Sequence, residues 1–168
     1  MDDASIRQSA LRQYGAGLEM LGKAIELCPE ELWFSADHRN RFWHIAYHSV
    51  FYTHLYVHTS ESDFQPWAKH APNSQYLGPR PWAKDEPFQL PEPYTKTDVQ
   101  DYLALCRAEV EKRVPLVRLE DSSGFSWLPF NKLELQFYNI RHLQHHAGQL
   151  AETLRNVMDV GVAWVGSR

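Results

Sequence analysis

The chain of 168 residues carries only two cysteines, Cys28 and Cys106. Two thiols without a C-x-x-C neighbour exclude a disulfide framework, and they read as buried side chains in a reducing compartment. Long apolar runs are also missing. None approaches the roughly 20 residues that a spanning helix needs. The acidic start Met1-Asp2-Asp3 leads straight into an amphipathic pattern rather than into the apolar core of a secretory signal. The expectation is a cytoplasmic protein with no membrane partner. Charge of one sign is scarce too: the formal net charge is −4, and no basic run occurs. That balance gives no electrostatic reason to expect nucleic acid or an anionic lipid surface. The G-x-S-x-G elbow, the P-loop and the dinucleotide fingerprint are all absent, and with them the usual marks of those catalytic classes.

Rings are plentiful instead, with six Trp, eight Tyr, eight Phe and nine His. A 43% hydrophobic and 23% charged composition is that of an ordinary globular chain, and the length fits one domain over residues 1–168. Helical periodicity dominates. The first helix is expected from Ser5, its cap, to about Leu27, with Ile6, Leu11, Tyr14, Leu18, Leu21 and Ile25 on one stripe. Cys28-Pro29 ends it, because a residue before proline avoids helical geometry. Glu30 to Trp33 reads as a short turn. The second helix is expected from Asn40 to about Thr59, with His44, His48, Phe51 and Leu55 on its inward stripe. By that phasing His54 and His58 fall on a neighbouring surface.

Pro66, Pro72, Pro79, Pro81, Pro87, Pro91 and Pro93 exclude regular structure over most of residues 60–95. The same stretch holds Phe64, Trp67, Tyr76, Trp82, Phe88 and Tyr94, so it is expected to pack over the helices as a lid-like crossover. Thr97 with Gln100 reads as the capping box of the third helix, which runs to Val114 and is broken by Pro115. The fourth helix is expected from Asn131 to Met158, with Leu135, Tyr138, His142, His146, Gln149 and Leu150 on its core stripe. The fold expected is all-α: a four-helix bundle with a long crossover loop between helices 2 and 3.

Chemistry concentrates in Arg141-His142-Leu143-Gln144-His145-His146-Ala147-Gly148-Gln149. Four residues advance a helix by about one turn, so His142 and His146 project from one face. His142 with His145 is the less aligned pairing. Neutral imidazole is a common ligand for divalent metals, and catalytic zinc sites use three protein ligands. The third should come from another inward stripe, where His48 and His44 are the candidates. Gln149 can hydrogen-bond a ligand imidazole and fix its tautomer. Trp43, Phe51, Tyr52, Trp67, Trp82 and Tyr138 are candidate walls of a pocket above the metal. His38, His54, His58 and His70 are read as solvated and without a role.

Trp43-His44-Ile45-Ala46-Tyr47-His48 on the second helix, with His142-x-x-x-His146-Ala147-Gly148-Gln149 on the fourth, resembles the DinB/YfiT-like superfamily of metal-binding four-helix bundles. The resemblance covers essentially the whole chain. It implies metal ligation by His48, His142 and His146, and a homodimer. It also implies a small-molecule substrate, in active members often a low-molecular-weight thiol used for transfer or isomerisation. Ala147 stands where the family frequently has arginine, and His44 and His145 are additional imidazoles. All-nitrogen ligation favours zinc or nickel over iron or manganese, which prefer a carboxylate. A metal-dependent transferase or hydrolase is the leading expectation. A non-catalytic, metal-stabilised or ligand-sensing bundle is the alternative.

Overall fold

A computed structural model describes residues 2–80, 82, 83 and 85–167; Met1, Pro81, Lys84 and Arg168 lie outside them. The described residues form five helices and no strand: α1 (Asp3–Leu27), α2 (Glu30–Phe34), α3 (Phe42–Tyr56), α4 (Lys96–Arg113) and α5 (Lys132–Met158). The four long helices neighbour one another in a closed sequence, α1 against α4 and α5, and α3 against α4 and α5. Among the described residues no helix is long and apolar enough to cross a membrane.

Local chemistry explains the helix ends, and several lie apart from expectation. α1 begins at Asp3 rather than Ser5, because the Asp2 carboxylate accepts from the Ser5 N–H at 2.8 Å. Ser5 is therefore the capped position and not the cap. The expected turn after Pro29 is a five-residue helix. α3 is shorter than anticipated at both ends, Phe42 to Tyr56. The capping box of α4 is Thr95 with Asp98, not Thr97 with Gln100: Thr95 Oγ1 accepts from the Asp98 N–H at 3.1 Å while Asp98 accepts from the Thr95 N–H at 3.2 Å. An aspartate closes this box where glutamate or glutamine is the commoner partner. Pro115 does end α4, leaving a 3₁₀ turn at Val114–Leu116. α5 starts behind Asn131, whose side chain accepts from the Glu134 N–H, and stops at Asp159 in a left-handed conformation.

Burial of α3 departs most from the sequence reading. Trp43, Ala46, Tyr47, Val50, Thr53, His54 and Leu55 are all buried, so apolar surface runs around the whole helix. A helix of that kind is enclosed: α2, α4 and α5 pack on it, and the 57–95 connection covers what they leave. His54 and His58, expected at the surface, are each only 3% exposed. His70 is half-buried and shares a 2.6 Å hydrogen bond with the Tyr47 hydroxyl. Only His38 of that group is exposed.

On α5 Lys132, Leu135, Gln136, Asn139, Leu143, His146, Ala147, Leu150 and Leu154 are buried. Leu135, His146 and Leu150 of the expected stripe are buried. Tyr138 and His142 are half-buried and Gln149 is exposed. The histidine run stands at the edge of the core, where the interior gives way to a cavity.

The connection between α3 and α4 is pinned at several points. The Trp33 indole N–H donates to the Tyr94 carbonyl at 2.9 Å. The Tyr94 hydroxyl donates to the Lys69 carbonyl at 2.9 Å and accepts from the Ala71 N–H at 2.7 Å. Trp67 lies stacked on Tyr102 of α4, with ring centroids 4.9 Å apart. A second loop meets its start: Gly124 adopts φ +82° against the Thr59 carbonyl, a position with no room for a Cβ.

Candidate metal centre

Three helical turns supply the site, and the long connection completes it. His48 projects from α3, and His142 and His146 project from successive turns of α5. His142 Nε2 lies 3.1 Å from His48 Nε2 and 3.1 Å from His146 Nε2. The donor atoms of all three residues lie within 4.8 Å of one another. The His142 and His146 rings are nearly perpendicular, at 80°, with centroids 4.5 Å apart.

The outer ring nitrogens determine what the inner ones present. His48 Nδ1 donates to the Gln75 carbonyl at 2.6 Å, since a carbonyl can only accept. His146 Nδ1 donates to the Gln149 side-chain oxygen at 2.7 Å. In both neutral rings the proton is thereby held at Nδ1, and Nε2 offers a lone pair. His142 Nδ1 is buried without a hydrogen-bond partner. Its Nε2 thus faces two lone pairs, and a proton there can satisfy one of them. A cation between the three nitrogens satisfies all.

Burial favours the neutral rings. Desolvation, followed by the neighbouring imidazoles, pushes His142 down to about 3. Desolvation comes first for His48 as well, ahead of His146 and His142, and holds it well below the usual histidine range. His146 is lowered chiefly by desolvation. Neutral imidazole is the state a metal requires. The spacing is compatible too, since nitrogen–metal bonds of about 2.0–2.1 Å leave nitrogens roughly 3 Å apart.

His44 is not part of this convergence. Its Nε2 donates to the Ser74 carbonyl at 2.9 Å, and its ring stacks on Trp43. His44 and His48, one turn apart on α3, therefore bond the consecutive carbonyls of Ser74 and Gln75. The pair ties the long connection to the helix and places it over the site. His145 is exposed and lies beside His146 without joining it.

His48 and His142 open into a cavity of about 810 Å³. Phe51, Tyr52, Trp82 and Tyr138 line it, as expected for pocket walls, whereas Trp43 and Trp67 are core. Sequence reasoning missed Gln75, Tyr56, Tyr76 and Trp127. Tyr56 had a signal, since it continues the four-residue steps from His48 through Tyr52. Trp127 and Gln75 had none, because chain distance hides them.

A second group, His54, His58 and Glu109, also has donors within metal-binding reach. Its members are already engaged. His58 Nδ1 donates to the His54 carbonyl at 2.9 Å, and His54 Nδ1 shares a hydrogen bond with the Tyr102 hydroxyl. Glu109 accepts from both Lys112 and Arg113. A metal there displaces two cations from one carboxylate, which makes it the weaker candidate.

Comparison of the chain with protein-family models, with curated proteins and with solved structures finds no match.

Proposed function

We propose that this chain is a metal-dependent enzyme of the DinB/YfiT-like class. In this reading α1, α3, α4 and α5 are the bundle, residues 57–95 are its crossover, and His48, His142 and His146 hold one divalent ion. The observation that carries the proposal is the convergence of three neutral imidazoles, with His142 Nε2 3.1 Å from the Nε2 of each of the other two, two with their tautomers held from behind, beside a cavity. When bound, such an ion keeps its full charge and acidifies a coordinated water or thiol. Gln75 and Gln149 keep the imidazole protons away from the donor atoms. The Tyr52 ring packs on His48 and His142, with centroids at 4.8 and 5.5 Å, and screens that side from water. Access from the cavity favours a catalytic site over a purely structural one, since structural metals are fully enclosed by protein ligands.

Zinc or nickel suits the all-nitrogen donor set better than iron or manganese. Transfer to or from a low-molecular-weight thiol is the reaction we favour, with hydrolysis the other outcome of the same chemistry. Cytoplasmic location and a homodimer belong to the same reading, the latter supported by exposed Phe137 and Trp164. Elemental analysis of untagged protein tests the ligand set. One zinc or nickel per chain is expected, falling to less than about a tenth in His48→Ala, His142→Ala and His146→Ala but kept in His145→Ala. Metal retained by all three variants contradicts the assignment. In an assay panel of electrophiles with different thiols, turnover is expected from the loaded protein and lost in His142→Ala.

A further inference from the structure

The cavity has two chemically different ends. At the floor stand His48 and His142. From there Tyr52 and Tyr56 continue along α3 in steps of one turn, so that Tyr56 lies about 12 Å along the axis from His48. Around Tyr56 the wall is aromatic. Its ring meets Tyr138 edge-on at 5.7 Å, and the Trp127 indole N–H donates to its hydroxyl oxygen at 3.4 Å. Glu61 lines the same cavity. Its N–H donates to the Gly124 carbonyl at 3.2 Å, which fastens it to the loop that carries Trp127.

Glu61 has no cationic partner among the described residues, and no described lysine or arginine lines the cavity. Away from the imidazole end, an anionic ligand body would meet the Glu61 carboxylate and no counter-charge from the described residues. A purely apolar one would gain contact with the rings but draw water away from Glu61 without replacing it. A cation satisfies both features at once, because ring faces attract it and the carboxylate neutralises it.

We propose that Tyr56, Trp127, Tyr138 and Glu61 form a box for an organic cation, so that the ligand carries a protonated or quaternary amine at the end away from the imidazoles. The ligand class is then a small amine-bearing molecule whose other end is a metal donor such as a thiol or carboxylate. That other end rests on the metal reading above; the cationic end does not.

Choline and 3,3-dimethylbutan-1-ol have nearly the same shape and differ in charge, and calorimetric titration of both reads the box directly. Choline is expected to bind about tenfold more tightly, the size of one desolvated cation–π contact. Glu61→Gln, an exposed substitution that leaves the fold alone, should cut this preference at least threefold, and Trp127→Leu should nearly remove it. The preference should persist in His142→Ala. Equal binding of the two probes, no binding of choline, or an unchanged preference in both box variants overturns the proposal. Zinc content measured on the same samples reports on the metal separately, so failure of one idea is distinguishable from failure of the other.

Discussion

At the scale of single residues, the orientation of each imidazole matters more than its presence. Nine histidines look alike in the sequence, yet each described partner commits a ring to one task. His44 spends its Nε2 on a carbonyl, and His48 spends its Nδ1 on the next carbonyl along. That single difference of ring nitrogen separates a fastening residue from a candidate ligand. Gln149 acts on His146 in the same way, through a 2.7 Å bond from an exposed position on α5. Gln149→Ala is expected to weaken metal affinity by about 10- to 100-fold without unfolding the protein, because the loss of such an outer partner frees the tautomer. Competition with a chromophoric chelator measures it; unchanged affinity would mean that the ring is oriented by packing alone. The i, i+4 spacing of His142 and His146 was legible in the sequence, and so was the reach of Gln149 to an imidazole. Which imidazole it serves was not, because His142, His145 and His146 all lie within two turns of Gln149 and only the side-chain geometry selects His146.

Among the elements, the 57–95 connection does what no helix does. It contributes the Gln75 carbonyl behind His48, and Tyr76 and Trp82 at the cavity wall. Prolines announced that it would be irregular, and aromatics announced that it would pack. Its path depends on Tyr94, whose hydroxyl binds both the Lys69 carbonyl and the Ala71 N–H. Tyr94→Phe leaves two backbone groups without that partner and is expected to cost about 1–3 kcal/mol. Hydrogen exchange should show the loss as faster exchange around Ala71 and Ser74, with α1 unaffected. Uniform acceleration across all helices would show instead that the connection is not a separately stabilised unit. The capping box at its end illustrates a near miss of sequence reading. Thr95 precedes the helix while Thr97 lies in its first turn, and only the reciprocal bonds of Asp98 decide between them.

For the whole molecule, enclosing α3 on every side makes stability depend on pH. His54 is buried among Phe64, Tyr102 and His58, and desolvation first, then the charge of His58, pushes it down to about 4. A histidine with a lowered folded value binds its proton more readily when unfolded. The unfolded chain takes up that proton as pH falls through about 6.5, so the contribution of His54 is complete above that pH. It is lost progressively as pH falls toward 4. His44 and His58 are lowered by the same cause and act in the same direction. Denaturant unfolding of metal-free protein should therefore show a steep decline of stability between pH 6.5 and 4. His54→Phe is expected to flatten it by up to about 3 kcal/mol across that window. An identical slope in the variant would mean that His54 opens to water before it titrates.

Periodicity, proline placement and the spacing of histidines are local properties of a chain. They were sufficient for an all-helical fold, for the approximate extents of the long helices and for the candidates His48, His142 and His146. Local pattern cannot report which faces of α3 are covered, since that depends on elements far away in sequence. For that reason His54 and His58 were read as solvated and are buried, and Trp127 was not recognised as a cavity wall. Ring orientation was likewise decided only in three dimensions, because a carbonyl from residue 75 and an amide oxygen from residue 149 fix which nitrogen of each imidazole faces inward.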